Sequence, residues 1–567
     1  MRSCTASRPR HMRPAEPPVA GRAGSGPPAS VVTVDGAAGT GRTAVAAALA
    51  ARLGWRWCSM DELYRACAVV YRRTGDRMSV DDIRSGADRA SGGHPHPTYK
   101  GRRIDGLHGP GAAGADSFAD DPRVRAAVTA EVRRFVGSHD AVVEGRGAGQ
   151  AFPRAALRLH LWASPAQRAR RDLAGLELDA ARPEASLRLG MMAWNRSSWS
   201  LHDTVSRLHE RVNVTLGRRR RSVSVVIPAR CSQDELGLVM PRLAAAAAGC
   251  TSDVQIVVVD DGSTDDTAAV AAAGGAQVVS LGATRGRSGA RNAGLQVATG
   301  DVVVFLDSDM LVEPDFLAEH LRLHEAANDT VVVGGRHHLP PGVTDPAGGD
   351  VLRRDSREAL LDVYSYNMAC LAHPWSLAYG CNVSVDRWFL ERAAPAGFDE
   401  SFVGWGLEDQ ELAHRLAGHG AQWAYSRAAS GAHLHHDRTM TAERFAGWKA
   451  NLRRFVDSHE DASALERLVP GMDPSRNVDY VDVYSRFDGG PTTADMTGLL
   501  VVRVPGSDDP LPAVQDAVAN GADTVALVDE GDRAELAVLA EAAAPGLGVR
   551  LYSGADWERL SPVPGAG

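Results

Sequence analysis

Apolar residues along this chain gather in short runs, separated by stretches with helical spacing and by Gly-rich turns. The first run, at 31–34, leads into a Gly-rich turn and an Ala-rich segment that reads as a helix. The pattern restarts at Val223 with VSVVIP and continues through a buried strand at 256–259, a helix at 267–273 and a short strand at 278–280. A helix at 287–298 and a further buried strand at 302–306 follow. Short all-apolar strands alternating with helices predict a parallel sheet covered on both faces. After about His459 the chain turns acidic and Pro-rich. It then alternates on a smaller scale, with strands at 499–504, 524–528 and 549–552 and helices at 511–519 and 533–543. No solenoid-type repeat is present.

At roughly 100–200 residues per domain, a chain of 567 residues predicts about three domains. The composition divides it into an Arg/Pro/Gly/Ala-rich tail (1–29), expected to be disordered, and α/β units at 30–217, 222–458 and 459–567. The Arg run 218–221 reads as a solvated hinge, with a phosphate-binding patch as the alternative. A net charge of -8 argues against a dedicated nucleic-acid binder, which carries a basic surplus. The seven cysteines are scattered and no pair has CxxC spacing, so neither a zinc cage nor a disulfide framework is indicated, and a cytoplasmic location is expected. The tail lacks the apolar centre of a signal peptide. No stretch reaches the roughly 18 uninterrupted apolar residues of a membrane span, so no transmembrane anchor is expected.

Three acidic segments carry candidate chemistry. The strand at 256–259 ends in Asp260-Asp261-Gly262-Ser263. Ligands of open parallel sheets bind beyond strand carboxyl ends, so these carboxylates stand where a nucleotide would sit. An Asx-turn followed by a helix cap is the equal alternative. The strand at 302–306 ends in Asp307-Ser308-Asp309, a spacing that suits a divalent ion, Mn²⁺ or Mg²⁺, shared with substrate phosphates. Gly404-Trp405-Gly406-Leu407-Glu408-Asp409 then opens a helix. Carboxylates in a first helical turn are stabilised by backbone N–H groups, so Glu408 and Asp409 are expected to stay ionised, and one could serve as a general base. Trp405 offers a flat face for a sugar ring.

The stretches SVVIPA (224–229), VVVDDGSTDDT (257–267), GRSGARNAGL (286–295), GDVVVFLDSDM (300–310) and GFDESFVGWGLEDQELAHRL (397–416) resemble the family-2 glycosyltransferases. The last stretch also resembles the acceptor-side segment of galactosyl- and N-acetylgalactosaminyl-transferases. The resemblance implies a Rossmann-like nucleotide-diphospho-sugar transferase domain performing metal-dependent inverting transfer. The favoured donor is a UDP-sugar, and the acceptor is a small molecule, peptide or glycan. It places Pro228, Asp260 and Asp261 beside the base, Arg291 in the nucleotide segment, and Asp307 and Asp309 at ribose and metal. Asp409 is favoured over Glu408 as the base. It also implies a downstream His ligand, for which His433, His435 and His436 compete and His433 is favoured. Thr284 stands where the family often has Asn, a departure that bears on donor preference.

Toward the amino terminus, Gly36, Gly39 and Gly41 precede Arg42-Thr43 in the geometry of a phosphate-cradling loop, with Arg in place of the usual Lys. Together with DELYRA (61–66) and VVEGRGAGQAFPRAALRLHLWASPAQRARR (142–171), this loop resembles cytidylate kinases. The resemblance implies a P-loop NTPase-like three-layer domain. Gly147 stands where those kinases carry Asp, and the lid region MMAWNRSSWSLHD (191–203) keeps only Arg196 among its basic residues. The monophosphate-gripping insertion is replaced by Gly- and His-rich sequence at 85–116. Phosphoryl transfer depends on positioned charge, so a non-catalytic nucleotide-binding module is favoured over an active or bifunctional kinase. The carboxy-terminal unit shows no polar cluster to which chemistry can be assigned.

Overall fold

In a computed structural model, the described residues are 29–36, 39–75, 82–87, 95–107, 115–162, 191–194, 200–345, 373–436 and 440–459, the positions 355, 357, 358, 361, 366, 368, 371, 465 and 469, and three strands between 500 and 553. The tail 1–28 and the helices expected at 511–519 and 533–543 lie outside these residues.

The amino-terminal domain contains β1 (Val31–Asp35), β2 (Arg56–Ser59), β3 (Ile83–Ala87), β4 (Pro95–Tyr99), β5 (Arg102–Arg103), β6 (Ala141–Glu144), β7 (Leu157–Trp162) and β8 (Met191–Trp194). Five of these form a parallel sheet in the order β2-β6-β1-β7-β8. The Ala-rich helix Arg42–Leu53 covers one face through Val45 and Leu49. In and beside the Gly- and His-rich stretch, the described strands β3, β4 and β5 pair as an antiparallel sheet. Their register rests on backbone pairing that the composition did not signal.

The second domain contains β9 (Ser222–Ala229), β10 (Asp253–Asp260), β11 (Gln277–Ser280), β12 (Val302–Leu306), β13 (Met310–Val312), β14 (Thr330–His338), β15 (Asn382–Asp386) and β16 (Gln422–His433). They form one sheet in the order β11-β10-β9-β12-β15-β14-β16-β13. The first four strands run parallel, and the order reverses at β9/β12, the point where such sheets open a crevice. Every residue of β12 is buried. Each such apolar side chain contributes roughly 1.5–3 kcal/mol, which fixes where Asp307 and Asp309 emerge. The remaining described strands, β17 (Leu500–Val504), β18 (Thr524–Asp529) and β19 (Gly548–Ser553), form a small parallel sheet.

Within the Arg run, Arg218, Arg219 and Arg220 are exposed as a solvated linker would be, and Arg221 is buried. Arg218 lies 3.8 Å from Asp140 of the first domain, whereas Arg219 binds Asp301 of the second at 2.6 Å. Arg221 is buried, 3.5 Å from Asp386, and donates to the His324 carbonyl at 2.8 Å. The helix Leu201–Thr215 is shared in the same way. Its Val205, Leu208 and Val212 pack with Val45 and Leu49, while Arg207 pairs with Asp386 and Arg211 donates to the carbonyl of Glu325. The like charges are largely solvent-exposed, as the sequence suggested, and their acidic partners come from elsewhere in the fold. Among the described residues no helix is long and apolar enough to cross a membrane.

Candidate functional site

Strand pairing assembles the metal-binding candidates. β13 follows Asp309 directly and runs antiparallel to β16, with Met310 opposite His433. The Leu434 N–H then donates to the Asp309 carbonyl at 2.9 Å, so the end of β16 lies against the Asp-Ser-Asp turn. His433 Nε2 is 3.5 Å from Asp309 Oδ1, and His436 Nε2 is 3.6 Å from Asp309 Oδ2. The three ligand atoms lie within 4.8 Å of one another. His433 Nδ1 is 3.0 Å from the Leu434 carbonyl, which can only accept. That ring nitrogen therefore carries a proton, and in the neutral ring the Nε2 lone pair would face Asp309, the arrangement of a ligating imidazole. One carboxylate and two imidazoles fit a divalent transition ion. Of the three competing histidines, His433 and His436 join Asp309, and the exposed His435 is not part of the group.

Asp307 faces a different partner. Arg291, on the helix Gly286–Val297, is 2% exposed and bridges Asp307 Oδ1 and Glu408 Oε1, each at 3.1 Å. Gly380 makes room for it, because a Cβ there would lie 2.7 Å from the guanidinium carbon. The two carboxylates hold the guanidinium charged against the opposing effect of burial.

The Gly380 N–H also donates to Asp409 Oδ2 at 2.7 Å, and the Gln410 N–H donates to Oδ1 at 3.0 Å. Asp409 sits at the start of the helix Glu408–Gly418. Contrary to the expectation that the first turn keeps it ionised, burial and then the neighbouring Glu408 charge push its carboxyl up to about 7. Desolvation exceeds the N-terminal stabilisation here. The glycines before it have a backbone reason: Gly404 and Gly406 take φ of 82° and 95°. A Cβ on Gly406 would lie 2.9 Å from Trp448 Cδ1. Trp405, between them, is half-buried and lines the cleft.

One cleft brings together Arg291, Asp307, Trp405, Glu408, Asp409 and His433, all singled out from sequence. Arg287, Arg336, Tyr379, Cys381 and Gln410 also line it and were missed, and His436, one of the three competing histidines, lines it as well. Arg287 lies inside the GRSGARNAGL stretch and could have been found there. Arg336 and Tyr379 belong to no recognised stretch.

Pro228, Asp260 and Asp261 are not among the residues lining this cleft. They sit at the carboxyl ends of β9 and β10. Asp261 is buried and accepts from the backbone N–H of Arg285 at 2.6 Å and of Gly286 at 2.9 Å, so it ties down the start of the Arg291 helix. Asp260 accepts from the Ser263 N–H at 2.9 Å, closing an Asx-type turn.

In the P-loop, Gly39 and Gly41 take φ of 76° and 86°, and the helix starts at Arg42 as expected. Arg42 turns toward acidic groups of its own domain. Its guanidinium donates to the Gly36 carbonyl, binds Asp61 at 2.5 Å and lies 3.9 Å from Glu144. Thr43 Oγ1 donates to Glu144 Oε1 at 3.3 Å. Burial, then the Asp61 charge, push the Glu144 carboxyl up to about 7.

Residues 224–377 match the family described as Glycosyl transferase family 2, and residues 372–437 match the N-terminal domain of galactosyltransferase. Residues 32–186 match Cytidylate kinase. A validoxylamine A glucosyltransferase of Streptomyces hygroscopicus subsp. jinggangensis is 30% identical over 191 residues, 30% of this chain and 44% of that protein. The chain thus spans less than half the length of that relative. The cytidylate kinase of Chlamydia muridarum is 32% identical over 166 residues, 28% of this chain and 74% of that protein. The crystal structure of S. aureus TarS 1-349 covers 47% of this chain and 90% of its own, at 16% identity and a TM-score of 0.31.

Proposed function

Since the chain belongs to the cytidylate kinases through its amino-terminal domain and carries a family-2 glycosyltransferase domain after it, we propose that it is a metal-dependent inverting glycosyltransferase using a UDP-sugar. The observation that supports this reading is the placement of Asp309, His433 and His436 in one group, with His433 and His436 lining the same cleft as Asp409. Two imidazoles and one carboxylate suit Mn²⁺ better than Mg²⁺, which prefers all-oxygen ligation. When bound, the ion neutralises charge developing on the leaving diphosphate. Asp409 takes the proton from the attacking acceptor hydroxyl, and Trp405 supplies an apolar face for a sugar ring. Arg291 locks Asp307 and Glu408 in place. Pro228, Asp260 and Asp261 would border the base at the carboxyl ends of β9 and β10. A relative acting on validoxylamine A, a small molecule by its name, is consistent with a small-molecule acceptor.

The test is a thermal-unfolding screen of the full chain with UDP-, GDP- and dTDP-sugars. UDP-sugars are expected to raise the midpoint only when Mn²⁺ is present, because a ligand that binds only the folded state stabilises it by mass action. Stabilisation by none of the three classes would remove the proposal.

The P-loop domain supports a second, non-catalytic role in nucleotide binding. Its glycine conformations persist, but Arg42 is committed to Asp61 and Glu144. Removing Arg42 altogether would leave the buried Glu144 and the half-buried Asp61 without their cation and destabilise the domain by roughly 3–5 kcal/mol. Arg42→Lys keeps the charge and is the cleaner variant. Sugar transfer by Arg42→Lys is expected to stay within about twofold of wild type, and wild type is expected to show no phosphorylation of CMP by ATP. A loss of transfer beyond about tenfold, or 1.4 kcal/mol in barrier, would show that the domains are coupled. Robust CMP turnover would restore the active kinase.

A further inference from the structure

We infer that Arg336 makes the cleft selective for a substrate bearing an anionic group, a carboxylate or phosphate, in addition to the donor diphosphate. This inference rests on the glycosyltransferase reading above and names a substrate class for it.

Arg336 owes its direction to an irregularity in the sheet. Along β14 and β16 the register runs Gly334 opposite Ser426 and then Arg336 opposite Gly431, so Gly335 alone faces residues 427–430. Bulges of this kind re-aim side chains beside active sites. Here the half-buried guanidinium is turned to the cleft wall, with its carbon 5.0 Å from the Tyr379 ring centroid.

Among the described residues the guanidinium forms no ion pair, and the Asp355 charge acts on it only through space. Asp355 is near, but it receives only the Arg336 backbone N–H, at 2.9 Å. Its carboxylate is taken by the buried Arg357, through Nε at 2.9 Å, a terminal nitrogen at 2.5 Å and the backbone N–H at 3.0 Å. That pair is closed and neutral. The Arg336 side chain makes a weak hydrogen bond to Cys381 Sγ at 3.7 Å, and its Nε is buried without an acceptor. Arg291, in the same cleft, has both of its carboxylates. A cation withdrawn from water without a partner is unfavourable, and such groups persist where a ligand completes them. The planar fork of Arg matches a carboxylate or phosphate with two parallel hydrogen bonds, and its neutral analogues cannot replace that charge. The Tyr379 face beside it suits the apolar side of a ring carrying the anion.

The anion could belong to the donor sugar or to the acceptor, and two pairs of probes separate these. Calorimetry with Mn²⁺ compares UDP-glucuronate with UDP-glucose, and then D-glucuronate with D-glucose on the UDP–Mn²⁺ complex. The acidic member of one pair is expected to bind wild type at least about tenfold more tightly. Whichever pair responds identifies the source. In Arg336→Gln the preference is expected to fall within about twofold, and Arg336→Lys is expected to keep part of it. Because the readout is a ratio, a general loss of affinity does not mimic it. If Arg336→Gln fails to unfold cooperatively, Arg336→Lys carries the comparison. Equal affinities for both pairs in wild type, or a preference that survives substitution, overturns the inference and leaves glycosyl transfer standing. Failure of UDP with Mn²⁺ to bind wild type removes both.

Discussion

Asp409→Asn is expected to lower kcat by about 10²-fold or more, the usual scale of lost general-base catalysis, equivalent to about 2.7 kcal/mol in barrier. The substitution keeps the shape but loses one of the two backbone hydrogen bonds, since the Asn amide cannot accept from the Gln410 N–H as well. The Asn carbonyl can still accept from the Gly380 N–H, which holds Asp409 Oδ2 at 2.7 Å. The metal-binding group is formed by other residues, so donor KM should change little. Glu408→Gln should behave differently. Glu408 is buried and holds Arg291 at 3.1 Å, so its loss should weaken the fold and raise acceptor KM more than it lowers kcat. The reverse pattern would exchange the two roles, and near-normal kcat in both would make the segment structural.

The pH profile adds a second readout. Asp409 works as a base only when ionised, and its carboxyl is pushed up to about 7, first by burial and then by Glu408. Below that value the protonated fraction dominates, so kcat/KM is expected to fall about tenfold per pH unit on the acid side. This limb should vanish in Asp409→Asn. The same shift opposes stability at higher pH. A carboxyl whose folded pKa is raised from 3.8 to about 7 binds its proton more tightly when folded, so its contribution declines as pH rises through that window.

Local pattern made some of this legible and hid the rest. An uninterrupted apolar strand, Val302–Leu306, had to be buried, so the acidic residues after it had to emerge at a sheet edge. The Gly-Trp-Gly-x-Glu-Asp order likewise marked a helix start. His436 was unreadable because four positions, HLHH, gave no phase for which imidazoles turn inward. That phase is set by β13 pairing with β16 across a long sequence separation. Arg336 was missed for a similar reason, since a bulge exists only once two strands are paired. The ionisation of Asp409 was misjudged because a helix terminus is visible in sequence and burial is not. In the P-loop, the Gly spacing was readable, but the capture of Arg42 by Asp61 and Glu144 required strands and helices to be in place.

Asp309→Ala is expected to abolish Mn²⁺-dependent donor binding, with affinity for UDP in the presence of Mn²⁺ falling by about 10²-fold or more. A carboxylate is the only anionic ligand in the group with His433 and His436, so its removal takes away the charge that favours a divalent ion. His433→Ala should approach the same effect, because His433 is buried and its Nδ1 is held at 3.0 Å by the Leu434 carbonyl, which fixes Nε2 in the site. His436→Ala should cost less, since its side chain is 50% exposed and water can replace it. Asp307→Ala should act indirectly, by leaving Arg291 with Glu408 alone. Calorimetry with UDP at saturating and at zero Mn²⁺ separates these cases, and unfolding without metal checks the fold. Asp309 is 21% exposed on its side chain, so its loss should shift that midpoint by only a few degrees. Unchanged UDP affinity in Asp309→Ala would place the ion elsewhere, whereas a metal-independent loss shared by all four variants would mark this corner as structural support for the cleft.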